Sequence, residues 1–241
     1  MQYWGVTDQG RIRKNNQDSF SIIENNANNV LAIVCDGIGG ARHGDWASNL
    51  VCEKLAESFC DSSAFSGKQS AKKWFKTNLQ AVNELIYERS LLSADCRGMG
   101  TTAVGLICYK NGILVANCGD SRCYQYEKEE LSQVTSDHTV IADLICQGAI
   151  TAEEARTHPK RHILSRAIGA DNEVKIDFFD VAGEAEFVLL CSDGLTGLVS
   201  DEEIKKVLGK RGNCEKKAKE LLEIANNKGG YDNITVVLLK R

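Results

Sequence analysis

The sequence predicts an α+β fold in which antiparallel sheets pack face to face and helices cover their outer sides. Three observations carry this. Five short runs rich in Val, Ile and Leu read as strands. Hairpin signals join neighbouring runs, so the sheets are antiparallel and a doubly wound βαβ chain is excluded. Three long stretches instead repeat apolar residues at three- and four-residue steps, the period of amphipathic helices.

Along the chain, "VLAIVCD" at 30–36 is apolar without interruption and reads as a buried strand. "GDWASNLVCEKLAESF" at 44–59 and "AKKWFKTNLQAVNELIYERSLL" at 71–92 follow as helices. Residues 103–109 and 113–118 form two strands, joined in "YKNGIL" through Asn111-Gly112, a strong hairpin signal. "SRCYQYEKEELSQV" alternates like a further meander. The strand 186–192, the helix "CEKKAKELLEIANN" at 214–227 and the strand 234–239 complete the pattern. No repeat, low-complexity tract or linker interrupts it, so residues 1–241 read as one domain.

Composition narrows the function. Apolar content of 43% and charged content of 26% are those of a soluble globular protein. A net charge of -4 with no basic cluster argues against nucleic acid as partner. No apolar run spans a membrane, and "MQYWGVTDQGRIRKNNQD" is not a signal peptide, so the expectation is a cytoplasmic protein. The ten cysteines show no CxxC pair and no zinc spacing, and several sit in strand runs as small core hydrophobes. None has arginine at the offset that a cysteine phosphatase needs for its phosphate loop.

The chemistry lies at strand ends. Asp36 ends "LAIVCD", Asp193 follows "FVLLCS", and Asp232 precedes "NITVVLL"; each has glycine next to it or close by. Asp120 in "NCGDSRC" is a fourth. A single Asp-Gly is ordinary turn chemistry. Several carboxylates held at rigid strand tips, if they converge, need protons or cations to relieve their repulsion, and oxygen-only ligands suit Mg2+ or Mn2+.

The chain resembles the PP2C-type metal-dependent serine/threonine protein phosphatases, most closely their single-domain bacterial members. Seven motifs carry the resemblance in order: "TDQGRIRKNNQDSF", "DGIGGARHGDWAS", "MGTTAV", "NCGDSR", "TSDH", "LLCSDGLTGLV" and "GGYDNITVVLL". It implies a four-layer α/β/β/α sandwich with two central antiparallel sheets. It also implies two Mn2+ or Mg2+ ions bridged by Asp36, with the Gly37 carbonyl, Asp193 and Asp232 as further ligands. A hydroxide shared by the ions would attack phosphorus in line, releasing phosphate from phosphoserine or phosphothreonine. Arg13 falls on the phosphate-binding arginine, and Asp18 on a carboxylate supporting metal-bound water.

Departures from the family pattern accompany these matches. Gln17 stands where glutamate commonly binds one metal; it keeps an oxygen but loses a charge, so that metal should bind more weakly. Asp120, with Asp193, matches a third-metal site, but Gly197 replaces an aspartate many relatives carry, which leaves at most a weakly held third ion. Ile38 occupies the place of a histidine acid. These departures leave open an alternative, a degenerate module that binds phosphoproteins with little turnover. His138 in "TSDH" is expected to anchor the segment that follows it. Residues 139–165 resemble a flap beside the active site, with a capping box from Thr151 to Glu154 and a basic "PKRH" run. The expected partners are phosphorylated proteins, including a cognate serine/threonine kinase, and the expected state is a monomer.

Overall fold

The computed structural model describes residues 1–39, 43–160 and 163–241. Gly40–Arg42 of the second motif, and Arg161 and His162 of the basic run, lie outside the described residues. In chain order the strands are β1 (Gln2–Asp8), β2 (Asp18–Glu24), β3 (Val30–Ile38), β4 (Gly100–Thr101), β5 (Ala103–Tyr109), β6 (Gly112–Cys118), β7 (Arg122–Glu127), β8 (Glu130–Gln133), β9 (Asp177–Asp180), β10 (Phe187–Cys191) and β11 (Ile234–Lys240). The helices are α1 (Gly44–Cys60), α2 (Lys68–Leu92), α3 (Val140–Cys146), α4 (Ala152–Thr157), α5 (Asp193–Thr196), α6 (Asp201–Gly209) and α7 (Cys214–Asn227). All the strand pairings are antiparallel, in two sheets ordered β1-β11-β10-β7-β8 and β2-β3-β5-β6-β9, with β4 beside β3. The predicted four-layer sandwich is the observed one.

The uninterrupted apolar runs now have a cause. Along β3, Leu31, Ile33 and Cys35 face α1 and α2, packing with Val51, Leu55, Phe59 and Phe75. The alternate residues Val30, Ala32 and Val34 face the other sheet, where Val188, Leu190 and Val237 meet them. In β10 and β11, Leu189, Cys191, Val236 and Leu238 turn outward onto Ile204 and Val207 of α6 and Leu221 and Ala225 of α7. Both faces of each central strand are therefore buried, and period-two polarity disappears. Burying one such side chain contributes roughly 1.5–3 kcal/mol. Eight of the ten free cysteines are buried here as core residues; Cys60 and Cys146 are exposed.

Two turns differ from expectation. The β5–β6 hairpin forms, but Tyr109 pairs with Gly112, so its two-residue turn is Lys110-Asn111, without positive φ. The left-handed pair sits instead between β7 and β8, at Lys128 (φ 51) and Glu129 (φ 63), where no glycine or asparagine signals it. There the right-handed twist of the ribbon favours a primed turn over local preference. Among the described residues, no helix is long and apolar enough to cross a membrane.

Antiparallel alternation brings the end of β3, the start of β2, the end of β6, the end of β10 and the start of β11 to one end of the sandwich. Asp18 pairs with Asp36 across β2 and β3. That end carries the candidate site.

Candidate active site

A cleft of about 770 Å³ opens there, lined among others by Arg13, Gln17, Asp36, Gly37, Asp120, Asp193 and Asp232. Six sequence-predicted positions thus join Asp36 in one cavity. Asp18 lies beneath it rather than in its wall.

Asp36 is held by its backbone. Its N–H donates to Thr102 Oγ1 at 2.9 Å, and its carbonyl accepts from Thr101 Oγ1 at 2.9 Å and from the Thr102 N–H at 2.8 Å. Thr102 and Ser121 share a hydroxyl bond of 2.7 Å behind it. Next to it, a Cβ on residue 37 would fall 2.3 Å from the Gly44 carbonyl oxygen and 2.7 Å from that of Gln17, so only glycine fits. The Gly37 N–H in turn donates to Gln17 O at 3.1 Å, and Ser48 Oγ donates to the same oxygen at 2.6 Å.

The loop bearing Arg13 is clamped by Asn233. Its Oδ1 accepts from the Gln17 N–H at 2.9 Å, and its Nδ2 donates to Gln9 O and Asn15 O, both at 2.9 Å. Arg13 Nη2 reaches Asp232 Oδ2 at 2.6 Å.

Asp18 is 7% exposed, and its Oδ2 accepts from Ser192 Oγ at 2.6 Å and Thr235 Oγ1 at 2.7 Å. Its buried Oδ1 meets no hydrogen-bond donor among the described residues. Burial pushes this carboxyl up to about 7; the two hydroxyls oppose the rise and Asp193 and Asp232 add to it. Asp120 is likewise pushed up to about 7, by burial first and then by Asp193 and Asp137. Asp36 is raised well above the carboxylate range by burial, then by Asp18, Asp193, Asp120 and Asp232.

These shifts bear on whether the site suits a cation. Four carboxylates line the cleft, and Arg13 is the one cationic side chain among its described lining residues. No three acidic, histidine or cysteine side chains among the described residues close on a single coordination point. A carboxylate, carbonyl and amide oxygen set with room between its members fits hard divalent cations that keep several waters. It does not fit zinc or copper.

Other predicted residues fall around this centre. Gly197 follows α5 at the rim, and a Cβ there would lie 3.1 Å from Asp193 O. Ile38 lines the cleft, whereas His43 precedes α1 and makes no side-chain capping bond. His138 anchors its segment: Nδ1 accepts from the Gly119 N–H at 3.0 Å, Nε2 lies 3.0 Å from Asp177 Oδ2, and its carbonyl accepts from the Ser165 N–H at 2.9 Å. Thr151 and Glu154 form the expected capping box on α4. Thr101, Thr102, Ser192, Asn233 and Thr235 stand inside the quoted motifs, but the sequence gives them no role; only the fold shows what they bond.

A family model described as protein phosphatase 2C matches residues 10–228. The serine/threonine phosphatase stp of Listeria monocytogenes is 38% identical over 236 residues, covering 98% of this chain and 94% of its own. Protein phosphatase PhpP of Streptococcus pneumoniae is 37% identical over 235 residues, 97% of this chain and 95% of its own. The crystal structure of serine/threonine phosphatase Stp1 from Staphylococcus aureus superposes with a TM-score of 0.94 at 35% identity, covering 100% of this chain and 95% of that one. The chain therefore belongs to the protein phosphatase 2C family.

Proposed function

We propose that this protein removes phosphate from phosphoserine and phosphothreonine in proteins, and that the cleft at the end of the sandwich is its active site. The observation that carries the proposal is the meeting of Asp36, Asp120, Asp193 and Asp232 in one cavity with Arg13 on its wall. Asp36, the Gly37 carbonyl, Asp193 and Asp232 would hold a pair of Mn2+ or Mg2+ ions, with Gln17 and Asp18 supporting them and Asp120 available to a weaker third. Bound there, the cations would supply Lewis acidity and acidify water.

The chain's own residues do the rest. The Arg13 guanidinium offers a planar fork to two phosphate oxygens while Asp232 fixes its other side. Asn233 holds the Arg13 loop, and Thr101 and Thr102 hold Asp36, so these groups are oriented before substrate arrives. Asp18 keeps an acceptor oxygen under the cleft floor, available to orient water. The segment 139–165 is read as a flap of a single domain 1–241, because Leu164 from it lines the cleft. Its partners would be phosphoproteins, among them the serine/threonine kinase it opposes. Turnover is favoured over mere binding because the relatives, similar over nearly their whole length, are named phosphatases.

The test is phosphate release from a phosphothreonine peptide titrated with Mn2+. Release should rise with the metal, stop in excess chelator and vanish in Asp36→Asn; activity undiminished by chelator refutes the metal-dependent reading. Gln17→Glu should lower the Mn2+ needed for half-maximal rate and tighten Mn2+ uptake by calorimetry.

A further inference from the structure

The loops carrying Arg13 and Asp232 run side by side. The Arg11 N–H donates to Gly230 O at 2.7 Å, and two residues on, Arg13 Nη2 reaches Asp232 Oδ2 at 2.6 Å. Ile12 and Tyr231 lie between these two bonds, and both are large apolar side chains left in water, 65% and 63% exposed. Tyr231 also lines the cleft, together with Leu164 and Leu198. A Cβ on Gly229 (φ +128) would fall 2.5 Å from the Tyr231 ring, so the ring lies against bare backbone.

Nothing in the packing of the sandwich requires an aromatic ring there. An aromatic ring has only two side-chain torsions, so it gives up little entropy when a partner covers it, which is the character of an interface anchor. We propose that Tyr231 and Ile12 form an apolar shelf that receives a large apolar side chain next to the phosphorylated serine or threonine of a substrate, with Tyr231 as the specificity-determining residue. This rests on the phosphatase reading of the cleft. A phosphate bound by Arg13 fixes one residue of the peptide, and its neighbour lies only about 3.8 Å away along the chain. Tyr231 lines the same cleft as Arg13, and Ile12 precedes Arg13 in the chain, so that neighbour comes within reach of them.

The experiment compares two phosphothreonine peptides that differ only at the positions flanking the phosphoresidue, leucine in one and serine in the other, in saturating Mn2+. The wild type should favour the leucine peptide about tenfold in kcat/KM. Tyr231→Ala should bring that ratio below about twofold, Tyr231→Phe should keep it, and Ile12→Ser should lower it in the same direction. Equal turnover of the two peptides by the wild type overturns the shelf, as does an equal loss on both in Tyr231→Ala, and either leaves the phosphatase reading standing. Hydrolysis of neither peptide overturns the phosphatase reading and the shelf with it.

Discussion

Arg13 and Asp232, 219 residues apart in sequence, form an ion pair of 2.6 Å at the wall of the cleft. Asp232 raises the guanidinium pKa first through this hydrogen bond, so Arg13 stays charged at any working pH. The pair also aims the fork. Lysine keeps the charge but lacks the planar pair of donors. Arg13→Lys should lower kcat/KM for a phosphothreonine peptide by roughly 10- to 100-fold, chiefly through KM. Steady-state kinetics at fixed Mn2+ measures it, and an unchanged KM counts against phosphate binding by Arg13.

Asn233 makes three bonds to the loop that carries Arg13, and it is 5% exposed. Asn233→Ala should cost roughly 2–4 kcal/mol of stability, because it leaves one N–H and two carbonyls without their partner. Urea denaturation reads that loss. The folded variant should also show a raised KM, since the loop is no longer held against β11.

How much was legible beforehand follows from where the information lies. Strands β3, β5, β6, β10 and β11 were readable because burial on both faces writes itself as an unbroken apolar run. The strands β1, β2 and β9 were not: they lie at sheet margins, only partly buried, and mix polar with apolar residues. Helix α6 is only nine residues long and fell below the periodicity signal. In the site, the aspartates stood out because each ends or begins a strong strand. The partners that hold them did not, because Asp18 meets Ser192 and Thr235 only through the stacking of two sheets.

His138 sets a pH dependence. Burial holds its pKa below the ordinary 6.5; the Asp177 carboxylate opposes that and the Arg166 cation assists it. As pH falls below 6.5 the unfolded chain takes up the proton first, so this residue contributes stability above that pH and loses it below. Asp18 and Asp120, both raised to about 7, act in the opposite sense, since their folded forms bind the proton first. The comparison is therefore wild type against His138→Gln by urea denaturation at pH 7.5 and about 5.5. The stability gap between the two proteins should narrow at the lower pH; a gap that widens contradicts the neutral imidazole.

Lys217 offers a test away from the cleft. It is 2% exposed, and its ammonium donates to the carbonyls of Val207 at 3.1 Å and Leu208 at 2.6 Å and to that of Lys210, closing the end of α6. Lys217→Met should cost about 2–3 kcal/mol by leaving those carbonyls unpaired. Activity per folded molecule should stay at the wild-type level, measured below the unfolding transition.

The two hydroxyls on Asp18 come from the other half of the sandwich, Thr235 in β11 and Ser192 just past β10, so one carboxylate beneath the cleft ties the two halves together. Alignment of the halves and alignment of the cleft floor are thus coupled. A methylene lost at Val34 or Leu190, deep in the seam, should therefore cost activity as well as stability. Damage of this kind would read as poor catalysis in a protein whose every reactive group is intact.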